Sequence, residues 1–361
     1  DKIYSIPMVI EESSVIAAAS KSAKLWSSLG GFKTKIISKI KNGQVHFTYL
    51  GEKELITSYF NYIKPTLIQD TETITSNMDD DFTAKIKPLL KDNRALIAAK
   101  TPDLPRHFTG YNLKDAYDPA TDRIDLPLLI AGSEGSLVML KEITLNILPL
   151  PKHKALFAVS YGDFIDALTA VPDILAHRPG AVETMDQNVL RLAKTDNIWH
   201  QVMRILPDGI EAEDIGAMHC IEFIGDTAAE VENAARTFEQ YLKAENQPYY
   251  YTDDAPEIAA VWEMRNLCVG LLGNMEGPRR PWPFVEDGAV PPENLAAFVK
   301  DVRAFLAGLN IDLGLFGHAD AGCLHIRPIL DLRNQKDATL IRTITNGMVE
   351  IVAKHKGNFW G

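Results

Sequence analysis

Residues 317–328 read GHADAGCLHIRP, which places His318 and His325 seven positions apart with little bulk between them. Imidazole is both a metal ligand and a proton carrier near neutral pH, so a pair of them raises both chemistries. On a helix, seven residues would separate the rings by ~10 Å along the axis, a long reach for a shared ligand. The spacer argues against a helix: Gly317, Ala319, Asp320, Ala321 and Gly322 turn easily. A turn folding back on itself would bring both rings to one point. Two histidines alone do not close a zinc site, which takes about three protein ligands plus an open position for catalysis. Asp320 is near in sequence, but spacing identifies no third ligand, and a structural role for both rings stays open.

Two other groups of residues bear on chemistry. Arg265, in WEMRNLCVGLLG, has the planar fork that clamps a carboxylate, or it stacks on Trp262. Arg279 and Arg280 lie in a Gly/Pro-rich turn and are expected to be solvated. The turn Gly132-Ser133-Glu134-Gly135 follows an apolar run read as a strand. Its backbone N–H groups suit an anion or the edge of a flat cofactor, and an ordinary tight turn fits equally. Neither a G-x-G-x-x-G nor a G-x-x-x-x-G-K-[ST] motif occurs, so neither a Rossmann dinucleotide site nor a P-loop is supported.

The elements that must hold these residues alternate in type. Residues 13–29 predict a helix that ends at Gly30-Gly31. KTKIISKI and QVHFTYL around Asn42-Gly43 predict a β-hairpin, followed by a helical stretch with a break at Pro65. The acidic run 79–81 predicts a solvated loop. A helix is expected over 82–100, then a proline-bearing loop, then two strands flanking the turn at 132–135. ALFAVSY with the helix that follows, and MHCIEFIG with TAAEVENAARTFEQYLKAE, are strand-then-helix pairs. Their recurrence predicts an α+β domain with helices on one face of a sheet.

At 361 residues the chain has room for two domains, and its formal net charge of −11 offers no basic face for nucleic acid. No apolar run approaches the ~18–20 residues that span a bilayer, and no signal-peptide pattern opens the chain. Three dispersed cysteines, Cys220, Cys268 and Cys323, make neither a disulfide framework nor a C-x-x-C site. The expectation is a reduced, cytoplasmic protein. The start at Asp1 and the end in HKGNFWG suggest a chain cut at both ends.

Four blocks carry a family resemblance: LPRHFTGYNLKDA, LLIAGSEGSLVMLKEITLNILPLP, MRNLCVGLLGNMEGPRRPWPFVEDGAVPPENLA and GLFGHADAGCLHIRP, with a final GNFWG. Over about 82–361 the chain resembles the FAD-linked oxidases of the vanillyl-alcohol-oxidase type, specifically the bacterial D-2-hydroxyglutarate dehydrogenase-like group. The resemblance implies a ferredoxin-like α+β C-terminal domain over 151–361, preceded by a remnant of the FAD-binding domain over 82–150. It implies that Gly110, Tyr111, Asn112, Gly132, Ser133, Glu134 and Gly135 line FAD, and that Arg265 binds a substrate carboxylate. It further implies that His318 and His325 ligate a divalent metal, usually zinc, and that a small D-2-hydroxy acid gives up a hydride to the flavin. The electron acceptor beyond the flavin is unspecified. The family's third metal ligand, a Glu in Glu-His-Gly after the last Trp-Gly, and its pyrophosphate loop have no counterpart in this sequence.

Residues 1–78 resemble something else. IPMVIEESSVIAAASKSAKLWSSLGGF, GQVHF and KPTLIQDTETITSNM are similar to class II HMG-CoA reductase. There the implied catalytic acid is Glu12 and the implied cofactor NAD(P)H, but the partner lysine, aspartate and histidine are missing. The expectation is a chimera of a small α/β fragment and an oxidase portion, joined near residues 78–81, as a chimeric gene model rather than a natural fusion. The alternatives are a reductase fragment and an inactive chain that binds at most a metal or a small acid. A helix at 13–29 severed from its core would expose apolar surface and favour self-association into a homo-oligomer.

Overall fold

The computed structural model describes residues 80–105, 110–133, 137, 150–193, 206–207, 214–273 and 277–359, with backbone only over 80–82 and 268–273. The helices and hairpin expected within 1–78, and with them Glu12, lie outside the described residues, as do Glu134 and Gly135. Asp79–Met139 and Ile147–Gly361 form one compact unit.

The sheet is built around strands whose residues are buried on both faces. β3 (His153–Tyr161) is buried from Ala155 onward, so it reads as a continuous apolar run rather than an alternating one. Together β3, α4 (Phe164–Ala176), β4 (Ala181–Asp186), β5 (Ala217–Gly225), α6 (Ala228–Ala244) and β6 (Tyr249–Thr252) make a βαββαβ unit. Its strand order is β4-β5-β3-β6, every neighbouring pair antiparallel. This is the expected ferredoxin-like arrangement. Local chemistry starts both helices. Asp163 accepts from Ile165 N at the head of α4. Thr227 and Glu230 form a reciprocal capping box on α6, a device worth ~1 kcal/mol.

On the β4 side the sheet continues through β9 (Leu313–His318) and β10 (Cys323–Leu330) to the two-residue strands β8 (Gly288–Ala289) and β11 (Asn358–Phe359). The short strand β7 (Arg280–Pro281) pairs with the far end of β10.

Helices cover both faces, not one. On one face α4, α6, α8 (Leu295–Gly308) and α9 (Gln335–Lys354) enclose the larger core, with Phe157 edge-on to Phe223 and Phe238. On the other, α5 (Gln187–Ala193) and the front of α7 (Ala255–Gly273) cover Leu156, Ala158, Met185, Met218, Cys220 and Phe316. The helical pairs visible in the sequence account for only the first layer. The second comes from a short helix directly after β4 and from α7, whose apolar residues do not form a single stripe.

A smaller cluster packs α1 (Asp80–Asp92) and α2 (Arg94–Lys100) against a hairpin of β1 (Tyr117–Asp118) and β2 (Arg123–Ile124), and against α3 (Leu126–Ala131). Here the structure corrects the sequence reading. Leu126–Ala131, expected as a strand, is a helix. Asp125 caps it by accepting from Leu128 N, and Pro127 sits in its first turn, where a missing N–H costs nothing. A six-residue apolar run does not by itself distinguish the two states, and the cap decides it.

Candidate functional site

Side chains alternate along β4. Val182 and Thr184 face the larger core, whereas Glu183 and Met185 face the α5–α7 side. Glu183 sits opposite His318 in the β4–β9 ladder, and His318 sits opposite Cys323 in the β9–β10 ladder. His325 lies two residues farther along β10 from Cys323, opposite Phe316. Strand pairing therefore puts Glu183, Phe316, His318, His325 and Arg327 on one face, with the two histidines as diagonal neighbours.

The expected fold-back is a tight turn at 319–322 between β9 and β10. Gly322 carries it at φ +68, and a Cβ there would lie 1.8 Å from the Val290 carbonyl oxygen. Glycine at 322 is thus a steric requirement of the turn, and the ring centroids of His318 and His325 stand 5.1 Å apart.

Each ring has a carboxylate at Nδ1. His318 Nδ1 donates to Glu183 Oε1 at 2.6 Å, while Arg265 Nε, brought from α7, donates to Glu183 Oε2 at 2.7 Å. Burial works to raise the pKa of Glu183, but the His318 hydrogen bond and the Arg265 charge outweigh it and hold the carboxyl below its usual range. His325 Nδ1 stands 2.5 Å from Asp287 Oδ1 and 3.3 Å from Glu286 Oε1. Burial pushes that imidazole down, and the two carboxylates more than reverse it, so its pKa is raised. The close approach of His325 to Asp287 is not aligned as a hydrogen bond. Glu286 is bridged by Arg327 through Nε and a terminal nitrogen, at 3.0 and 2.6 Å. The guanidinium carbons of Arg265 and Arg327 stand 5.2 and 5.5 Å from the Phe316 ring.

The structure thus brings Arg265, His318 and His325 together. It also adds three acids that the spacing argument left without roles: Glu183, Glu286 and Asp287. A carboxylate at a core-facing position of the strand AVETMD was the available signal for Glu183. For the other pair the sequence offers only two adjacent acids before an apolar stretch. Arg265 lies by Phe316 and not over Trp262, whose indole N–H donates to Glu222 Oε1 at 2.8 Å. Arg279, expected to be solvated, is half-buried against Asp337 at 3.2 Å, and Arg280 donates to the Gly277 and Arg279 carbonyls.

Of the residues expected to line a flavin, Gly110 and Gly132 are in direct backbone contact, since a Cβ on Gly132 would fall 1.8 Å from the Gly110 carbonyl oxygen. Asn112 accepts from Asp115 N, and Ser133 is buried just past α3. Leu104, in the preceding loop, packs on Ala289, Ala321 and Cys323 of the histidine hairpin and its neighbour. Glu286, Asp287 and His325 bring one donor atom each within 4.8 Å of one another.

Residues 150–361 match the family model for FAD linked oxidases, C-terminal domain, and residues 1–98 match that for hydroxymethylglutaryl-coenzyme A reductase, running past Met78. The chain is 40% identical over 270 residues to the D-2-hydroxyglutarate dehydrogenase of Pseudomonas putida, covering 74% of this chain and 27% of that one. It is 36% identical over 278 residues to the Escherichia coli K12 protein of the same name, covering 75% and 27%. It therefore spans about a quarter of the length of these relatives. The 4-ethylphenol oxidase from Gulosibacter chungangensis is 12% identical with a TM-score of 0.43, covering 59% of this chain and 46% of that one.

Proposed function

From a chain that belongs to the FAD-linked oxidases through their C-terminal domain, we propose the substrate side of a D-2-hydroxy acid dehydrogenase acting on 2-hydroxyglutarate or a lactate-like acid. The observation that carries the reading is the convergence of one guanidinium, two imidazoles and a carboxylate on one sheet face.

Each group has a task in oxidising a 2-hydroxy acid. Arg265 offers the planar donors that match a substrate carboxylate. Its contact with Glu183 through Nε orients the guanidinium and keeps the pair neutral. With Nδ1 donating to Glu183, His318 keeps Nε2 as its lone-pair nitrogen. The residues that would hold a divalent cation such as zinc are His325 and Asp287, whose donor atoms lie within 4.8 Å of one another and of Glu286, with His318 offering Nε2 from the neighbouring strand. Glu286, engaged by Arg327, would support that site from outside. Residues 110–112 and 132–135 would line FAD. When bound, the flavin supplies a two-electron acceptor and the cation a Lewis acid for the 2-hydroxyl. Overall, C2 loses a hydride and its hydroxyl a proton, leaving the 2-oxo acid.

Division into 1–78, 82–150 and 151–361 belongs to the same proposal, as does a chimeric origin. The match over 1–98 favours a second reading for that segment alone, an HMG-CoA reductase fragment containing Glu12. Among the described residues, no helix is long and apolar enough to cross a membrane.

Calorimetric titration of the chain with D-2-hydroxyglutarate, with and without Zn²⁺, tests the reading. Binding that strengthens with Zn²⁺ and falls at least tenfold in Arg265→Met is expected. Binding indifferent to both would sink it.

A further inference from the structure

Glu183 is a buried carboxylate in the middle of a sheet, 8% exposed, a position where an apolar side chain would cost far less desolvation. Its two oxygens serve different partners, each drawn from a different element. Oε1 accepts from His318 on β9, and Oε2 accepts from Arg265 on α7, 82 residues away in sequence. A neutral imidazole has one N–H and one lone pair, so whichever nitrogen faces a carboxylate must carry the proton.

We propose that Glu183 is a positioning residue that fixes His318 as the Nδ1–H tautomer and, with the same carboxylate, sets the plane of the Arg265 guanidinium. The consequence is register: the lone pair at His318 Nε2 and the carboxylate-binding fork of Arg265 are tied to one rigid strand. Neither can then drift relative to the other when a substrate arrives. Pre-organisation of this kind acts through geometry, without Glu183 touching the substrate. The proposal rests on the function argued above for the tasks of His318 and Arg265. The tautomer itself does not depend on that function.

Glu183→Gln makes the decisive variant, because it keeps the shape and changes the hydrogen-bond code. The amide oxygen can accept from Arg265 Nε only if the amide NH₂ faces His318 Nδ1. That nitrogen must then become the acceptor, which moves the ring proton to Nε2. Two-dimensional ¹⁵N–¹H spectra of the whole chain, labelled at histidine, report the tautomer directly, with His318→Gln identifying the signals. The expected result is an unprotonated Nε2 at position 318 in the native chain and a protonated Nε2 in Glu183→Gln. Co²⁺ affinity, read by visible absorbance, should fall roughly 10- to 100-fold in Glu183→Gln and be partly recovered in Glu183→Asp, which keeps the charge. Circular dichroism establishes that the variants fold.

A native chain with the proton on Nε2 would overturn the proposal even if no variant folded. So would an unchanged tautomer in folded Glu183→Gln. If the native chain binds no Co²⁺ yet the tautomer switches, the cation site falls and the positioning role of Glu183 stands.

Discussion

His325 on β10 and Asp287, the residue just before β8, meet as an ion pair at 2.5 Å, Nδ1 to Oδ1, without the alignment of a hydrogen bond. Against its burial, the carboxylates favour a proton on this imidazole. A divalent cation would displace that proton and take a lone pair from each of the two atoms. Asp287→Asn removes the charge and weakens one donor while preserving volume. Co²⁺ or Zn²⁺ affinity should then fall roughly 10- to 100-fold. Affinity within twofold of the native chain would remove Asp287 from the donor set.

Gly322 fixes the hairpin that sets the two histidines. An alanine there would meet the Val290 carbonyl at 1.8 Å in a left-handed backbone conformation. Gly322→Ala is expected to cost roughly 3 kcal/mol or more, beyond the ~1–2 kcal/mol of the backbone conformation alone. Urea denaturation measures it. A loss below about 1 kcal/mol would mean the turn relaxes freely and does not constrain the rings.

How far this site could be read in advance varies from residue to residue. The convergence of His318 and His325 was legible because a spacer of small residues turns easily, but spacing alone did not assign the rings a role. Arg265 was legible as a fork but not by its partner, since Glu183 is 82 residues away and only the β4–β9 ladder brings it near. Glu286 and Asp287 were given no role, because two adjacent acids carry no period that distinguishes a surface loop from a donor pair. The recurring strand–helix pairs gave an α+β domain and two of the strands, while the ferredoxin-like arrangement came from the family resemblance. They could not reveal the second helical layer, and a local cap, Asp125, decided that Leu126–Ala131 is helical.

Arg265 should report on stability and binding at once. Truncating one partner of a buried ion pair leaves the other uncompensated, at a typical cost of about 3–5 kcal/mol. Both partners here have side chains no more than 10% exposed. Arg265→Met should therefore lower the urea midpoint sharply. Arg265→Lys should recover part of that stability yet bind D-2-hydroxyglutarate at least tenfold more weakly, because an ammonium lacks the planar fork. Equal binding by the Lys variant would show that charge alone is what the site uses.

On the opposite face of the sheet, His219 and Asp186 impose pH dependences of opposite sign. His219 is fully buried, its Nε2 donating to the Ala167 carbonyl at 2.8 Å, and burial holds its pKa down at about 4. Asp186 accepts from Val189 N and Leu315 N, and burial pushes it up to about 6 against those bonds. For His219 the folded value lies below the unfolded 6.5, so unfolding takes up a proton and stability falls as pH drops from 6.5 through about 4. For Asp186 the folded value lies above the unfolded 3.8, so its contribution is present below 3.8 and fades as pH rises through about 6. The two slopes oppose one another across the shared window. At ~1.4 kcal/mol per tenfold change, His219 alone is worth roughly 3 kcal/mol over its range. His219→Leu removes that arm: whatever its baseline stability, its curve should gain roughly 3 kcal/mol relative to the native chain between pH 6.5 and 4. Urea midpoints at pH 6.5, 5 and 4 for both proteins decide it. Parallel curves would mean that His219 is protonated in the folded chain and that its ring is not the neutral, buried group the sheet encloses.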